Sequence, residues 1–456
     1  MVQRRLWQLS ALAFTLVVLV WPLLGSGPSQ AAPASVAGAI DTPSADAPVG
    51  GVIHVQGWAI DQASPTDVGV DRVVLSLDGL ELGPAHLGQS RPDIAAAFGP
   101  RYAQAGWSAT LDLDTRSTPG PHLLEVRITS PRGGQPLVLQ RSLQVAVTPR
   151  FGVNAHLLWF DPATAARDLD RARANGLRLV RFDVSWERLE PSARGVFDAA
   201  YLASLDDVLD LAGTRGLQPI LTIVGTPAWA RPGSASDMAP PSDTADFASA
   251  VGRLAAHLAQ RPQLTYEVWN EPNQPTFWAS PDGPDAATYT RLLQAAYMSI
   301  KSAAPSATVL GGSLAFNDPS YLEAMYAAGA GGAFDGLALH PYSLAAAPES
   351  SADPAHSFAA AIGQAHAIMA AHGDGAKPLW ITEMGWSTPD VSDAQRADYF
   401  ARTVSMVRST PNIAAFVAYE LNQADDTQGP QIGLLAADGT PTASWSAYGQ
   451  AVRSVP

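Results

Sequence analysis

From residue 151 onward, short apolar runs alternate with amphipathic stretches, and this alternation constrains the fold more than any other feature of the chain. The apolar runs occupy 151–156, 179–184, 219–224, 265–269, 308–311, 336–340, 378–382 and 413–419. Each is short and rich in residues suited to a strand covered on both faces. The stretches between them, such as 164–175, 201–215, 245–261, 287–303 and 394–407, carry apolar residues at helical spacing, and Gly176 and Gly216 stand where helix C-terminal stops belong. Parallel strands need a crossover connection, usually a helix, so the pattern reads as repeated βα units. Eight of them in roughly 300 residues predict a (β/α)8 barrel. A doubly wound open sheet is the rival. It is disfavoured because no Gly-x-Gly-x-x-Gly turn follows the first run and polar residues gather at the ends of many different strands.

With 456 residues the chain has room for such a barrel, expected over 150–456, and a smaller module before it. Residues 1–32 place Arg4 and Arg5 before an apolar run and end in the small residues Ala31 and Ala32, as a secretory signal peptide does, so a secreted or extracytoplasmic protein is expected. An uncleaved membrane anchor is the alternative. Residues 33–47, rich in Ser, Pro, Ala and Gly, read as a linker. Residues 48–148 contain short strand-like runs separated by Gly, Pro and Asp turns, which predict a small all-β sandwich. Gly57-Trp58-Ala59, Leu77-Asp78-Gly79 and Arg91-Pro92-Asp93 resemble elements of bacterial immunoglobulin-like modules, which implies an immunoglobulin-like sandwich. Trp58 and Trp107 are read as core aromatics between its sheets rather than as a sugar platform.

Polar residues in a parallel barrel belong where strands emerge at the C-terminal face. Asn154 and His156 end the first run, Arg181 and Asp183 lie in the second, and Trp229 follows the third. Asn270 and Glu271, in Trp269-Asn270-Glu271-Pro272-Asn273, follow the fourth. His340 and Tyr342 follow the sixth, Glu383 the seventh, and Tyr419 and Glu420 the eighth. Leu379 and Ile381 share the parity of Glu383, so the expectation is that they fill the interior and Glu383 points into the mouth. Two carboxylates on separate strand ends are the minimum machinery for cleaving a glycosidic bond. His156 and His340 are candidates for the site by their strand-end positions, with structural roles as the alternative. Arg181 is either a site residue or a structural partner of Asp183 or Glu187.

These residues resemble the clan A glycoside hydrolases, retaining (β/α)8 enzymes with an acid/base after strand four and a nucleophile after strand seven. Families 39 and 5 are the nearest in pattern. Support comes from Val180-Arg181-Phe182-Asp183-Val184-Ser185-Trp186, Leu189-Glu190-Pro191, Gly195-Val196-Phe197-Asp198 and Thr226-Pro227-Ala228-Trp229. The resemblance implies that Glu271 protonates the leaving oxygen and that Glu383 attacks the anomeric carbon. It also implies that Asn270 binds the sugar 2-hydroxyl, and that Tyr342 and Arg181 orient Glu383 and keep it anionic. Trp386, Trp229, Trp278 and Tyr419 are candidate stacking surfaces for pyranose rings. Direct attack needs the carboxyls about 5–5.5 Å apart, against about 6.5–9.5 Å for an inverting enzyme, and the short spacing is expected. Clan members often carry Trp at the end of the eighth strand, where this chain has Tyr419-Glu420-Leu421-Asn422.

A net charge of −14 with 15% charged residues disfavours nucleic acid as a partner. The chain has no Cys, which excludes disulfides and thiolate ligands. No His-Glu-x-x-His spacing occurs, so neither a metal nor another cofactor is expected. The expected substrate is a polysaccharide or oligosaccharide, association with the cell surface is compatible with export, and no obligate protein partner is implied. Two other functions fit the same residues. One is a non-hydrolytic carbohydrate-binding or adhesion protein on a barrel scaffold, and the other is a transglycosylase.

Overall fold

The computed structural model describes residues 35–45, 48–50, 52–113, 120–145, 148–261, 264–388, 390–423 and 431–454, so the expected signal peptide lies outside the described residues. The N-terminal strands are β1 (Val36–Thr42), β2 (Pro48–Val49), β3 (Val52–Asp61), β4 (Arg72–Leu77), β5 (Leu80–Pro84), β6 (His86–Gln89), β7 (Gly106–Asp112), β8 (Gly120–Thr129) and β9 (Leu137–Val145), with helix α1 (Pro92–Phe98) before β7. They form two sheets, ordered β1-β3-β7-β6 and β2-β9-β8-β4-β5. Val55, Trp107 and Leu111 from the first sheet and Val73, Leu75, Leu124, Val126 and Ile128 from the second share one apolar core. Alternation makes this possible, since Leu124, Val126 and Ile128 occupy every second position of β8 and turn inward together. Trp107 is a core residue, as expected, and Trp58 packs on Phe98 at 5.5 Å.

The expected linker over 33–47 is corrected by β1, which pairs antiparallel with β3 from Val36 to Thr42. Val36 and Ile40 enter the core, while the intervening Ala-Gly-Ala gives the segment a linker-like composition. The small residues serve close approach. A Cβ at Gly38 would lie 2.7 Å from the Trp58 carbonyl oxygen.

Eight parallel strands then close in chain order: β10 (Arg150–Asn154), β11 (Leu179–Ser185), β12 (Gln218–Val224), β13 (Thr265–Val268), β14 (Thr308–Ala315), β15 (Gly336–His340), β16 (Leu379–Met384) and β17 (Ile413–Ala418), the last pairing back to β10. The helices are α2 (Pro162–Ala174), the single turn α3 (Trp186–Leu189), α4 (Ala199–Thr214), α5 (Thr244–Leu258), α6 (Ala286–Ala303), α7 (Pro319–Ala327), α8 (Phe358–Ala371), α9 (Asp393–Ser409) and α10 (Ala443–Arg453). This is the (β/α)8 barrel that the alternation predicts. Side-chain caps start the long helices, from Asp161, Asp198, Asp243, Asp285 and Asp318 to Ser357, Ser392 and Thr442. Each satisfies an orphan N–H and contributes roughly 1 kcal/mol.

Strand parity sorts the barrel into two apolar zones. Val180, Phe182, Leu221, Ile223, Tyr266, Leu379 and Ile381 belong to the core shared with the helices. Leu179, Ile220, Leu310, Ala338, Trp380, Ala415 and Val417 form a separate cluster, the interior plug. Two positions further along the same strands stand Arg181, Thr222, His340 and Thr382, so the interior changes from apolar to polar toward its C-terminal end. The parity expected for β16 is therefore inverted. Trp380 and Thr382 face inward, Leu379 and Ile381 face the helices, and the alternation breaks at a register shift between Ile381 and Met384. That irregularity brings Glu383 to the interior side.

Gly336 shows how tightly the plug is filled. A Cβ there would meet the Trp380 indole at 2.7 Å and the Pro378 carbonyl oxygen at 3.1 Å. Overpacking of this kind costs about 1–3 kcal/mol. Gly336→Ala is therefore expected to lower the thermal midpoint of the barrel by several degrees in calorimetry, and an unchanged midpoint would show that Trp380 yields freely.

Candidate active site

The site begins with the geometry of Trp269-Asn270-Glu271-Pro272-Asn273. Trp269 and Glu271 adopt positive φ angles of 70° and 41°, uncommon for non-glycine residues and persistent only where surroundings hold them. Here they do. The Trp269 indole donates to the Phe277 carbonyl at 2.6 Å, and the Glu271 amide donates to the Ser313 carbonyl at 3.1 Å. The Asn273 side chain clasps Ala315 twice, accepting from its N–H at 3.0 Å and donating to its carbonyl at 3.1 Å. The Tyr321 hydroxyl donates to the Pro272 carbonyl at 3.0 Å. The turn after β13 is thereby pinned to β14, and Glu271 is aimed by backbone geometry.

Arg181 organises the interior. Its Nε donates to Glu267 at 2.5 Å, Nη1 to Asn154 at 2.8 Å and to Glu383 at 2.6 Å, and Nη2 to Asn270 at 2.9 Å. The Asn154 side chain also donates to the Thr382 carbonyl at 2.9 Å, and Thr222 donates to Glu267 at 2.6 Å. Arg181 thus contacts two of the candidate site residues, Glu383 and Asn270. Glu187 instead pairs with Arg231 at 2.6 Å. Burial alone would raise Glu267, but Arg181, His340 and Thr222 hold it below the usual carboxylate range.

Three groups converge at the mouth. His340 Nδ1 lies 2.9 Å from Glu271 Oε1 and 3.7 Å from Glu383 Oε2, while Nε2 lies 3.1 Å from the Thr382 hydroxyl. Tyr342 donates to Glu383 Oε2 at 2.8 Å. Carboxylate oxygens of Glu271 and Glu383 come within 4.8 Å of each other. Burial would lower His340, but Glu383 and Glu271 more than offset that and hold its pKa above the ordinary value. Burial pushes Glu383 up and Glu271 adds to the rise, against His340, Arg181 and the Tyr342 hydroxyl. Glu271, His340 and Glu383 also present the donor types of a metal site. Both nitrogens of His340 are already within hydrogen-bonding reach of protein partners, Glu271 and Thr382.

The remaining candidates divide. Tyr419 lies edge-on to both Tyr342 and His156, each at 6.4 Å, and His156 Nε2 lies 3.1 Å from Glu420 Oε2, so these residues belong to the mouth. Trp229 is partly buried, donating to the Glu190 carbonyl at 2.8 Å and lying edge-on to Trp186. Trp386 and Trp278 do not offer stacking faces, since each is 1% exposed. Trp386 packs against Tyr399 and Phe400, and Trp278 between Trp269 and Tyr289. Glu267 was absent from the expected site. Its signal was a charged residue inside a strand that should be apolar, four positions before Glu271.

Residues 144–424, more than half of the chain, match the family described as Cellulase (glycosyl hydrolase family 5). The chain belongs to that family. It is an O-glycosyl hydrolase, and its substrate is a carbohydrate. No curated protein sequence matches it. Among solved structures it is similar to a family 39 glycoside hydrolase from the gut symbiont Bacteroides cellulosilyticus WH2, with a TM-score of 0.55 and 20% identity over 91% of this chain and 82% of the other. A GH5_18 structure from Streptomyces cattleya in complex with GlcNAc gives 0.54 and 22% over 68% and 82%. A monomeric β-xylosidase from Caulobacter crescentus CB15 gives 0.50 and 21% over 67% and 69%. At these identities the likeness is one of fold.

Two outcomes are expected of this family 5 enzyme. Arg181→Met leaves Glu267 buried without its cation and should cost about 3–5 kcal/mol of barrel stability, part of which returns in Arg181→Met/Glu267→Leu. Denaturant melts of both variants decide it, and a double variant no more stable than the single one would refute the account. Tyr342→Phe removes a hydrogen bond that favours ionised Glu383, so the Glu383 pKa rises and the acid limb of the kcat/KM profile moves to higher pH. A limb that stays in place would show that Tyr342 does not tune this carboxyl.

Proposed function

We propose that the enzyme is a secreted retaining glycosidase that cleaves β-glycosidic bonds of a polysaccharide or complex glycan by double displacement. The approach of Glu271 and Glu383 to within 4.8 Å supports direct attack, because an inverting pair needs about 6.5–9.5 Å to admit a water molecule. Glu383 attacks the anomeric carbon while Glu271 protonates the departing oxygen, and Glu271 then takes the proton of the water that releases the sugar. Arg181 and Tyr342 hold the two oxygens of Glu383, which fixes the direction of attack. Arg181 occupies Oδ1 of Asn270, so its Nδ2 is the end available for the sugar 2-hydroxyl.

His340 Nδ1 shares a hydrogen bond with Glu271 at 2.9 Å and, at 3.7 Å, faces Glu383. In its protonated form His340 offsets negative charge in the cleft and eases ionisation of the nucleophile. Export rests on the Arg4-Arg5 pair, the apolar run behind it and the small residues after it. Among the described residues no helix is long and apolar enough to cross a membrane. The N-terminal sandwich is read as an accessory immunoglobulin-like module.

Anomeric stereochemistry supplies the test. NMR of the first product from a β-linked substrate should show the β-anomer, and initial release of the α-anomer would sink the retaining reading. Glu271→Ala should lose about 10²–10⁴-fold in rate on substrates whose leaving group needs protonation, and far less on a 2,4-dinitrophenyl glycoside. Azide should restore Glu271→Ala by forming a β-glycosyl azide. Glu383→Gln should abolish turnover of both substrates.

A further inference from the structure

We infer that the bound glycan continues out of the catalytic centre along an aromatic ladder ending in Trp159, and that Trp159 is the platform of a distal saccharide subsite. The inference rests on the β-glycosidase reading above and extends it to chain length. Starting from the nucleophile, Tyr342 donates to Glu383 at 2.8 Å. The Tyr342 ring meets Tyr419 edge-on at 6.4 Å, and Tyr419 meets His156 edge-on at 6.4 Å. His156 then lies flat on Trp159, with centroids 3.9 Å apart and planes 16° from parallel. These side chains come from the segments that follow β15, β17 and β10, so the ladder crosses the mouth of the barrel rather than following one loop.

Trp159 is 54% exposed and its neighbour Phe160 is 43% exposed, whereas Trp269, Trp278 and Trp386 are fully buried. Trp159 and Phe160 are adjacent in the chain, and contiguous exposed apolar surface is one mark of a ligand-binding groove, whereas single exposed apolar residues are ordinary. With one face covered by the imidazole, the exposed surface of Trp159 offers a flat apolar area suited to the C–H face of a pyranose. The next residue, Phe160, forms part of the wall of a groove of about 410 Å³, which Arg188, Asp198 and Asp207 also line. Such side chains provide hydrogen-bonding groups for sugar hydroxyls.

Glu420 gives the ladder its support. It is fully buried, its Oε2 lies 3.1 Å from His156 Nε2, and its Oε1 has no hydrogen-bond partner among the described residues. A carboxylate in contact with one ring nitrogen fixes the orientation of the imidazole. Glu420 is thus a positioning residue acting through His156 on Trp159. Where clan members often place a Trp directly, this chain uses an acid to hold a histidine beneath a more distant Trp.

The test measures kcat/KM on β-1,4-linked cello-, xylo- and manno-oligosaccharides of two to six units, together with aryl β-glycosides. Wild-type enzyme should prefer the longer members of the series it cleaves. Trp159→Ala should lower the ratio of long-chain to disaccharide kcat/KM about tenfold, Trp159→Phe should restore most of it, and Glu420→Ala should lower it about threefold, with folding checked by melting temperature. An unmoved ratio in Glu420→Ala would remove its positioning role. Length dependence that survives Trp159→Ala, an equal loss on all lengths, or wild-type turnover without length dependence would overturn the subsite while leaving the β-glycosidase reading intact. No turnover of any β-linked probe by the wild-type enzyme would sink that reading and the subsite with it.

Discussion

The guanidinium of Arg181 is the interaction on which the catalytic end of this barrel depends. It sits in the interior two residues above the apolar plug and reaches four side chains from three other strand segments: Asn154 on β10, Glu267 and Asn270 on β13 and the turn after it, and Glu383 on β16. Burying a cation is costly unless it is paired and its donors are used. Two carboxylates and two amide oxygens meet both conditions, and Glu267 has little other purpose in the interior. The planar fork of arginine is what allows the arrangement, since a lysine ammonium cannot address separated acceptors along fixed directions.

A second constraint acts on top of the first. The turn carrying Glu271 holds two non-glycine residues at positive φ and is tied to β14 through Asn273 and Ser313. Glu383 reaches the same space because β16 breaks register between Ile381 and Met384. Both carboxylates therefore owe their positions to local departures from regular strand geometry. Such departures persist only where the surroundings over-determine them, and here the hydrogen bonds to β14 and to Arg181 do so.

Much of this was legible in the residues before any coordinates. The eight apolar runs placed all eight strands, because a strand covered on both faces leaves a short apolar signature that loops and amphipathic helices do not. The ordinals of Glu271 and Glu383 followed from that count. Strand parity did not carry through to Glu383, because a register shift is a property of pairing between chain segments and has no residue signature of its own. The burial of Trp386 and Trp278 was equally hidden. An indole beside a strand end reads the same whether it faces a sugar or a helix, and only the presence of Tyr399, Phe400 and Tyr289 decides it. β1 escaped notice because Ala-Gly-Ala has the composition of a linker even where it forms a tightly packed strand.

The plug built around Trp380 has a consequence for the order of events in a turnover. Leu179, Ile220, Leu310 and Ala338 close the N-terminal end of the barrel with apolar side chains, so no water column runs through the axis to the carboxylates. In the proposed double displacement, the water that resolves the covalent sugar then enters from the mouth, through which the departing group also leaves. Release of that group is the event that admits the acceptor. In that scheme a second sugar at the rim competes with water at the same opening, and the balance between cleaving and extending a chain becomes a matter of which of them enters first.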